Sequence, residues 1–188
     1  MKVSSTARPF RRVNRQRGVG MVSMLLALVI TAIVVGAVYS QYTDATRKAR
    51  IEKAQAEVVT MIAESQKLYG NTNQYGAVTT AIAVRSGVVP PRLRVGTTTT
   101  AQNSYDGAIT FTPATLTTTN DALVLGYGAV RREDCQDLVL GTDRLTRRIA
   151  VGATIVKPTD GTVNIATLAT ACDAAATVAI NFTMGRGQ

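Results

Sequence analysis

The sequence predicts an α+β protein in which one long N-terminal helix packs on an antiparallel β-sheet head. Three observations predict it. An uncharged, apolar run over residues 19–43 passes, with no Pro or Gly break after Tyr42, into a mixed stretch that ends at Gly70. Beyond Pro91 the chain changes to short runs rich in Val, Ile, Leu and Thr, separated by Gly, Asp and Asn, which is the pattern of strands joined by turns. The third observation is composition: 46% hydrophobic and 18% charged residues over 188 positions, with a mean hydropathy of +0.11, suit a core-forming chain and neither a disordered nor a polytopic membrane protein. A helix followed by a series of strands is α+β order.

Residues 1–18 carry Lys2, Arg8, Arg11, Arg12, Arg15 and Arg17 and no acidic residue. The whole chain is +9, so six of the nine net charges lie in this stretch and residues 19–188 are only about +3. The basic surplus therefore speaks to topology. Basic residues ahead of an apolar run hold the N-terminus in the cytoplasm and send the downstream chain across the membrane. Residues 19–43 are long enough to span a bilayer as a helix, since about 20 residues at about 1.5 Å each suffice. The run is too long for the core of a secretory signal peptide, whereas a plain single-pass anchor fits its length and orientation. Over 44–70, small or apolar residues at Ala49, Ala54, Val58, Met61, Ile62, Ser65 and Tyr69 recur mostly every three or four positions. That spacing predicts an amphipathic helix with Arg50, Glu57, Glu64 and Lys67 on the solvent side. Gly70 reads as its stop and 71–74 as the loop beyond it.

Residues 71–188 form the head. Residues 74–87 read as a short helix closed by Val88-Val89-Pro90-Pro91. Strands are predicted over 108–112, 122–127, 149–156, 163–166 and 177–182. The Thr runs at 97–100 and 117–119 read as exposed loops or strand edges, and Asn181-Phe182-Thr183 spells an N-glycosylation sequon of little weight. Cys135 and Cys172 stand in neither a redox-motif nor a metal-ligand arrangement. Two buried free thiols and a disulfide both fit the residues. An oxidising compartment favours the disulfide, which would stabilise the head by about 3–4 kcal/mol in the chain-entropy account.

Arg17-Gly18, ahead of an apolar helix that runs on into an amphipathic one, resembles the start of a type IV prepilin. The resemblance implies a leader over 1–18 that a membrane aspartyl prepilin peptidase cuts after Gly18, leaving Val19 as an N-methylated first residue. Tyr42 then falls at mature position 24, where many such pilins carry Tyr. A cut after Gly20, exposing Met21, is the alternative. Most pilins have Glu at the fifth mature position, where it pairs with the amine of a neighbouring subunit; this chain has Ser23 there, or Leu25 with the later cut. The Ser23 hydroxyl or backbone carbonyls would then satisfy the Val19 amine. A helix without that carboxylate is also easier to insert into lipid. Further along, Leu68-Tyr69-Gly70, Gly87-Val88-Val89-Pro90, Asn103-Ser104-Tyr105-Asp106-Gly107, Cys135 with Leu138, Ala171-Cys172 and Ala179-Ile180-Asn181-Phe182 follow in an order similar to type IVb pilins, those of conjugative thin pili above all. Such a resemblance implies an outward-facing C-terminal region bounded by a Cys135–Cys172 disulfide.

The function implied is that of a structural subunit, polymerised through its N-terminal helix into a surface filament for cell–cell contact, adhesion or conjugation. Its expected partners are other copies of itself, the prepilin peptidase, an inner-membrane assembly platform with its ATPase, a minor tip adhesin, and the membrane before assembly. The precursor would sit in the inner membrane with its head in the periplasm, and the assembled subunit outside the cell. Gly20, Ala27, Ala32, Gly36 and Ala37 would let helices approach closely. A minor or tip pilin and a type II secretion pseudopilin share the leader and helix. A DNA-binding uptake pilin would use Arg131-Arg132 and Arg147-Arg148, but Glu133, Asp134, Asp137 and Asp143 lie close by, so nucleic acid is not an expected partner. The chain has no histidine, phosphate loop or nucleophile–base pair. An enzyme reading therefore has no catalytic residue, metal ligand or cofactor site to stand on.

Overall fold

The computed structural model describes residues 19–70, 75–96 and 99–185. The leader with Gly18, the predicted loop at 71–74 and part of the first Thr run lie outside them. The chain divides after Ala45 into two units.

The first unit contains the start of helix α1, Val19–Ser65. Its large apolar side chains from Met21 to Tyr42 are all more than half exposed. Among the described residues this is the one helix long and apolar enough to cross a membrane, with a mean hydropathy of 2.7 over its most apolar stretch. Each hydroxyl of a serine or threonine between 19 and 43 donates back to its own helix: Ser23 to Gly20 O at 3.1 Å, Thr31 to Ala27 O at 2.7 Å, Ser40 to Ala37 O at 2.9 Å and Thr43 to Ser40 O at 2.8 Å. Hydroxyls satisfied within their own helix can be surrounded by lipid at little cost.

The second unit begins at Thr46. Here α1 buries Ile51, Ala54, Val58, Met61 and Ile62 in the core of the head. The predicted stripe holds with two corrections. Ala49 is exposed, and Glu57, predicted to face solvent, is completely buried. Helical geometry accounts for the second: Glu57 is three residues after Ala54 and four before Met61, which places all three on one face. Its charge, and not its position, had suggested solvent. The helix continues as a π-helical turn over Gln66–Gly70 and so ends at Gly70 as predicted, though without a positive φ there.

Helix α2, Thr80–Arg85, is capped by the Thr79 hydroxyl and lies inside the predicted 74–87 segment. Next come β1 (Ala101–Gln102), β2 (Ala108–Ala114), β3 (Ala122–Arg131), helix α3 (Arg132–Thr142), β4 (Arg148–Val151), β5 (Thr154–Lys157), helix α4 (Ile165–Asp173) and β6 (Thr177–Gly185). The six strands form one antiparallel sheet in the order β1-β2-β3-β6-β4-β5. The C-terminal strand β6 is thus central, pairing Leu125 with Phe182 on one side and Ile149 with Phe182 on the other.

Two predicted strands are corrected. The run 149–156 is a hairpin, broken where Gly152 takes a φ of 58° that favours glycine over any residue with a side chain. The run 163–166 is the start of α4: Asn164 caps the helix by accepting from Thr167 N at 3.0 Å, and Leu168 and Cys172 recur at helical spacing on its buried face. The Thr run at 117–119 is exposed. Asn181 sits within β6 between Gly126 and Ala150, so its sequon lies in the middle of the sheet.

Candidate functional site: an apolar helix and a cross-linked head

Ser23, the residue that stands where pilins carry Glu, lies on α1 about one turn after Val19, the first residue of the helix. Its hydroxyl hydrogen is committed to Gly20 O, which leaves the oxygen as an acceptor. Met21 is exposed on the same helix, and a Cβ added at Gly20 or Gly36 would meet nothing within 4 Å. These glycines are therefore open positions on the helix surface.

In the head, two polar groups tie α1 to the sheet side. The first is an ion-pair cluster. The Asp134 carboxylate is completely buried and receives one arginine on each oxygen: Arg47 Nε at 3.1 Å on Oδ1 and Arg50 Nε at 2.9 Å on Oδ2. Arg47 also reaches Asp137 at 2.8 Å and the Glu133 carbonyl, and Arg50 reaches Glu133 Oε1 at 3.3 Å. Hydrogen bonding to Asp134 is the main reason the Arg47 guanidinium is pushed above its ordinary range. Asp134 and Glu133 lie in the first turn of α3, where the helix dipole also favours negative charge. The sequence places Arg50 on the solvent face and Asp134 among surface acids near the head arginines, whereas Asp134 is buried. Arg50 sits four residues before the core residue Ala54, a spacing that brings it to the edge of the packed face.

The second group is centred on Glu57. Its Oε2 accepts from the Tyr127 hydroxyl at 2.7 Å, from Ser104 Oγ at 2.9 Å and from Ser104 N at 3.3 Å, while Oε1 has no donor among the described residues. Burial pushes the Tyr127 phenol well above its ordinary range, and the bond to Glu57 adds to the shift. The phenol is thus a permanent donor. Ser104 belongs to the Asn103–Gly107 turn, one of the segments that carried the family resemblance. Asn103 organises that turn: its Oδ1 accepts from Tyr105 N and Gly107 N, both at 2.9 Å, and its Nδ2 donates to Gly128 O at 2.7 Å. Gly107 is required there, because a Cβ would run into the Gly128 carbonyl. Tyr105 joins the two polar groups, edge-on to Tyr127 at 6.3 Å between ring centroids and beneath the Arg50 guanidinium at 5.9 Å.

Cys135 on α3 and Cys172 on α4 are joined in a disulfide, with their Cα atoms 5.8 Å apart. Of the four arginines that a nucleic-acid reading would use, three are ion-paired within the head. Arg131 lies 3.9 Å from Glu133, Arg132 lies 3.0 Å from Asp173, and Arg147 pairs with Asp160. Among the described residues no group of three or more His, Cys, Asp or Glu side chains is arranged to hold a metal ion.

A long N-terminal helix packed on an antiparallel-sheet head that carries a C-terminal disulfide is a type IV pilin-like fold. The family model described as "PilS N terminal" matches residues 48–184, and the chain belongs to that family. The crystal structure of TcpA, a type IV pilin from Vibrio cholerae El Tor biotype, is similar with a TM-score of 0.55 at 15% identity, covering 73% of this chain and 99% of that one. A type IV b pilin from Salmonella typhi is similar with a TM-score of 0.53 at 20% identity, covering 74% and 99%. No curated protein matches the chain.

Proposed function

We propose that this pilin-fold protein is a type IVb pilus subunit, made as a prepilin with a leader over 1–18, cut between Gly18 and Val19, and polymerised through α1 into a surface filament. The observation that carries the reading is the contrast along one helix. From Thr46 onward α1 completes the core of a head, whereas from Met21 to Tyr42 it exposes apolar side chains along its length. Exposed apolar area on that scale marks a surface that something else covers. In the precursor the cover is lipid; in a filament it is the same segment of neighbouring subunits.

In lipid no hydrophobic gain drives helices together, so association rests on close packing and on work done by an assembly motor. Head-to-tail contacts that do not close generate a filament. The resemblance to thin-pilus pilins favours conjugative or cell-contact pili, with the peptidase, assembly platform, ATPase and a tip adhesin as partners. In this register the Ser23 oxygen accepts from the Val19 amine of a neighbour. The absence of the usual Glu favours a second reading, a minor or tip pilin that enters the filament at few positions. The ion pairs made by Arg131, Arg132 and Arg147 support surface solvation over DNA binding.

Leader variants test the proposal. Gly18→Leu is expected to leave a full-length precursor in the membrane and no filaments, while Gly20→Leu leaves processing and filaments intact. The reverse pattern would move the cut to Gly20–Met21, and filaments from both variants would refute processing at either glycine. Ser23→Ala should lower incorporation into filaments if the hydroxyl holds the neighbouring amine; unchanged incorporation would remove that role.

A further inference from the structure

We infer that the Cys135–Cys172 disulfide is the positioning element for the ion-pair cluster on α1: it holds Asp134 beneath Arg47 and Arg50, and so fixes residues 46–54 of the helix to the head. The residue that carries both arginines is the immediate neighbour of the cross-linked Cys135. Helix α3 is a bridge with two kinds of attachment. Towards α4 and the start of β6 its first turn is held by the disulfide, by Arg132 N donating to Ala176 O at 3.1 Å and by the Arg132–Asp173 pair at 3.0 Å. Towards α1 its polar attachments are Glu133, Asp134 and Asp137 on Arg47 and Arg50, with Gln55 Nε2 donating to Asp137 O at 3.0 Å, beside the core that Leu138 and Val139 share with Ala54 and Val58. The groove between α3 and α4 is lined by Arg47 and Cys172 together, so the two attachments meet in one place.

The physical reason for coupling is that a buried carboxylate does not hold its partners by charge alone. Removing Asp134 and the inner parts of two guanidinium groups from water costs about as much as their attraction returns unless the geometry is fixed beforehand. Asp134 is completely buried, whereas Arg47 and Arg50 keep 40% and 26% of their side chains exposed. When α3 is free to move, all three groups are better hydrated apart. A covalent tie one residue away removes that freedom and makes the pairing favourable. Linkage is reciprocal: if the disulfide strengthens the cluster, the cluster protects the disulfide. The coupling does not depend on which filament the protein builds.

Hydrogen exchange on the full chain in detergent micelles tests it. In Cys135→Ser/Cys172→Ser, amides over 46–54 should lose protection at least tenfold more than those of β3 at 123–127. Asp134→Asn should reproduce that selective loss, and the triple variant should add less than twofold to it. A cross-link that stabilises the head only as a whole would lower both segments by the same factor, and that result would overturn the inference. Should the serine variant not fold, the reciprocal arm uses the intact cysteines. Arg47→Gln/Arg50→Gln should be reduced by dithiothreitol several-fold faster than the parent, and an unchanged reduction rate would refute the coupling.

Discussion

Tyr127→Phe removes one hydroxyl and should cost far more than an ordinary surface hydroxyl does. The phenol donates to Glu57 Oε2 at 2.7 Å inside the head, with both residues completely buried. Oε1 of the same carboxyl group already lacks a donor among the described residues, so after the substitution Ser104 alone serves Glu57. Leaving a buried oxygen underserved costs about 1–3 kcal/mol. The edge-on ring contact with Tyr105 and the burial of the ring are preserved in Phe, so nothing offsets the loss. For a chain of this size about 2 kcal/mol lowers the melting temperature by about 6 °C. Thermal unfolding of the full chain in detergent micelles, followed by circular dichroism, reads the shift directly. Removing both partners in Glu57→Met/Tyr127→Phe should recover part of the loss, because the buried carboxylate is then gone and only the half-buried Ser104 loses its acceptor. A melting temperature within 1 °C of the parent for Tyr127→Phe would refute the claim that this bond holds Glu57 in place.

Three further outcomes are expected. Gly107→Ala should destabilise the head by about 3 kcal/mol or more, since its Cβ would meet the Gly128 backbone and backbone cannot give way as a flexible side chain does; denaturant unfolding measures this. Asp121 accepts from the amides of Leu116, Thr117 and Thr118, chiefly the first, which lowers its pKa to about 2. A folded pKa below the unfolded one means the contribution is complete above about pH 4 and is lost as pH falls towards 2. Stability measured from pH 5 to 2 should therefore fall less steeply in Asp121→Asn than in the parent. Ala129 holds a φ of 56° at the irregularity in β3, a conformation that costs an alanine about 1 kcal/mol or more. Ala129→Gly should consequently be neutral or stabilising by up to about 1 kcal/mol, where most core-proximal changes are harmful.

The parts of the fold that were legible in the sequence are those governed by local pattern. The apolar run with its basic approach, the three-and-four spacing through Val58 and Ile62, and the β-rich runs that became β2, β3 and β6 all depend on neighbours in sequence. The start of α4 reads as a strand in the sequence because Val163 and Ile165 have strand propensity, although Asn164 is a legible cap. The hairpin at Gly152 was hidden inside a run of strand formers whose only break was one glycine.

The polar part of the head was less legible for a different reason. Glu57 and Arg50 carry charge, and charge normally means solvent, yet both lie at helical spacing from core positions. Their partners Tyr127, Ser104 and Asp134 are separated from them by 47 to 84 residues, and no local pattern reports such a distance. The disulfide could be placed from compartment and residue count, but its adjacency to Asp134 acquires meaning only once α1 is seen beside α3.

The central claim is that α1 is an assembly helix released at its N-terminus by cleavage. The most direct test is the N-terminal sequence and intact mass of the protein sheared from the cell surface. A chain beginning at Val19 with residues 1–18 absent is the predicted result. Surface-exposed protein that still begins at Met1 would contradict the account.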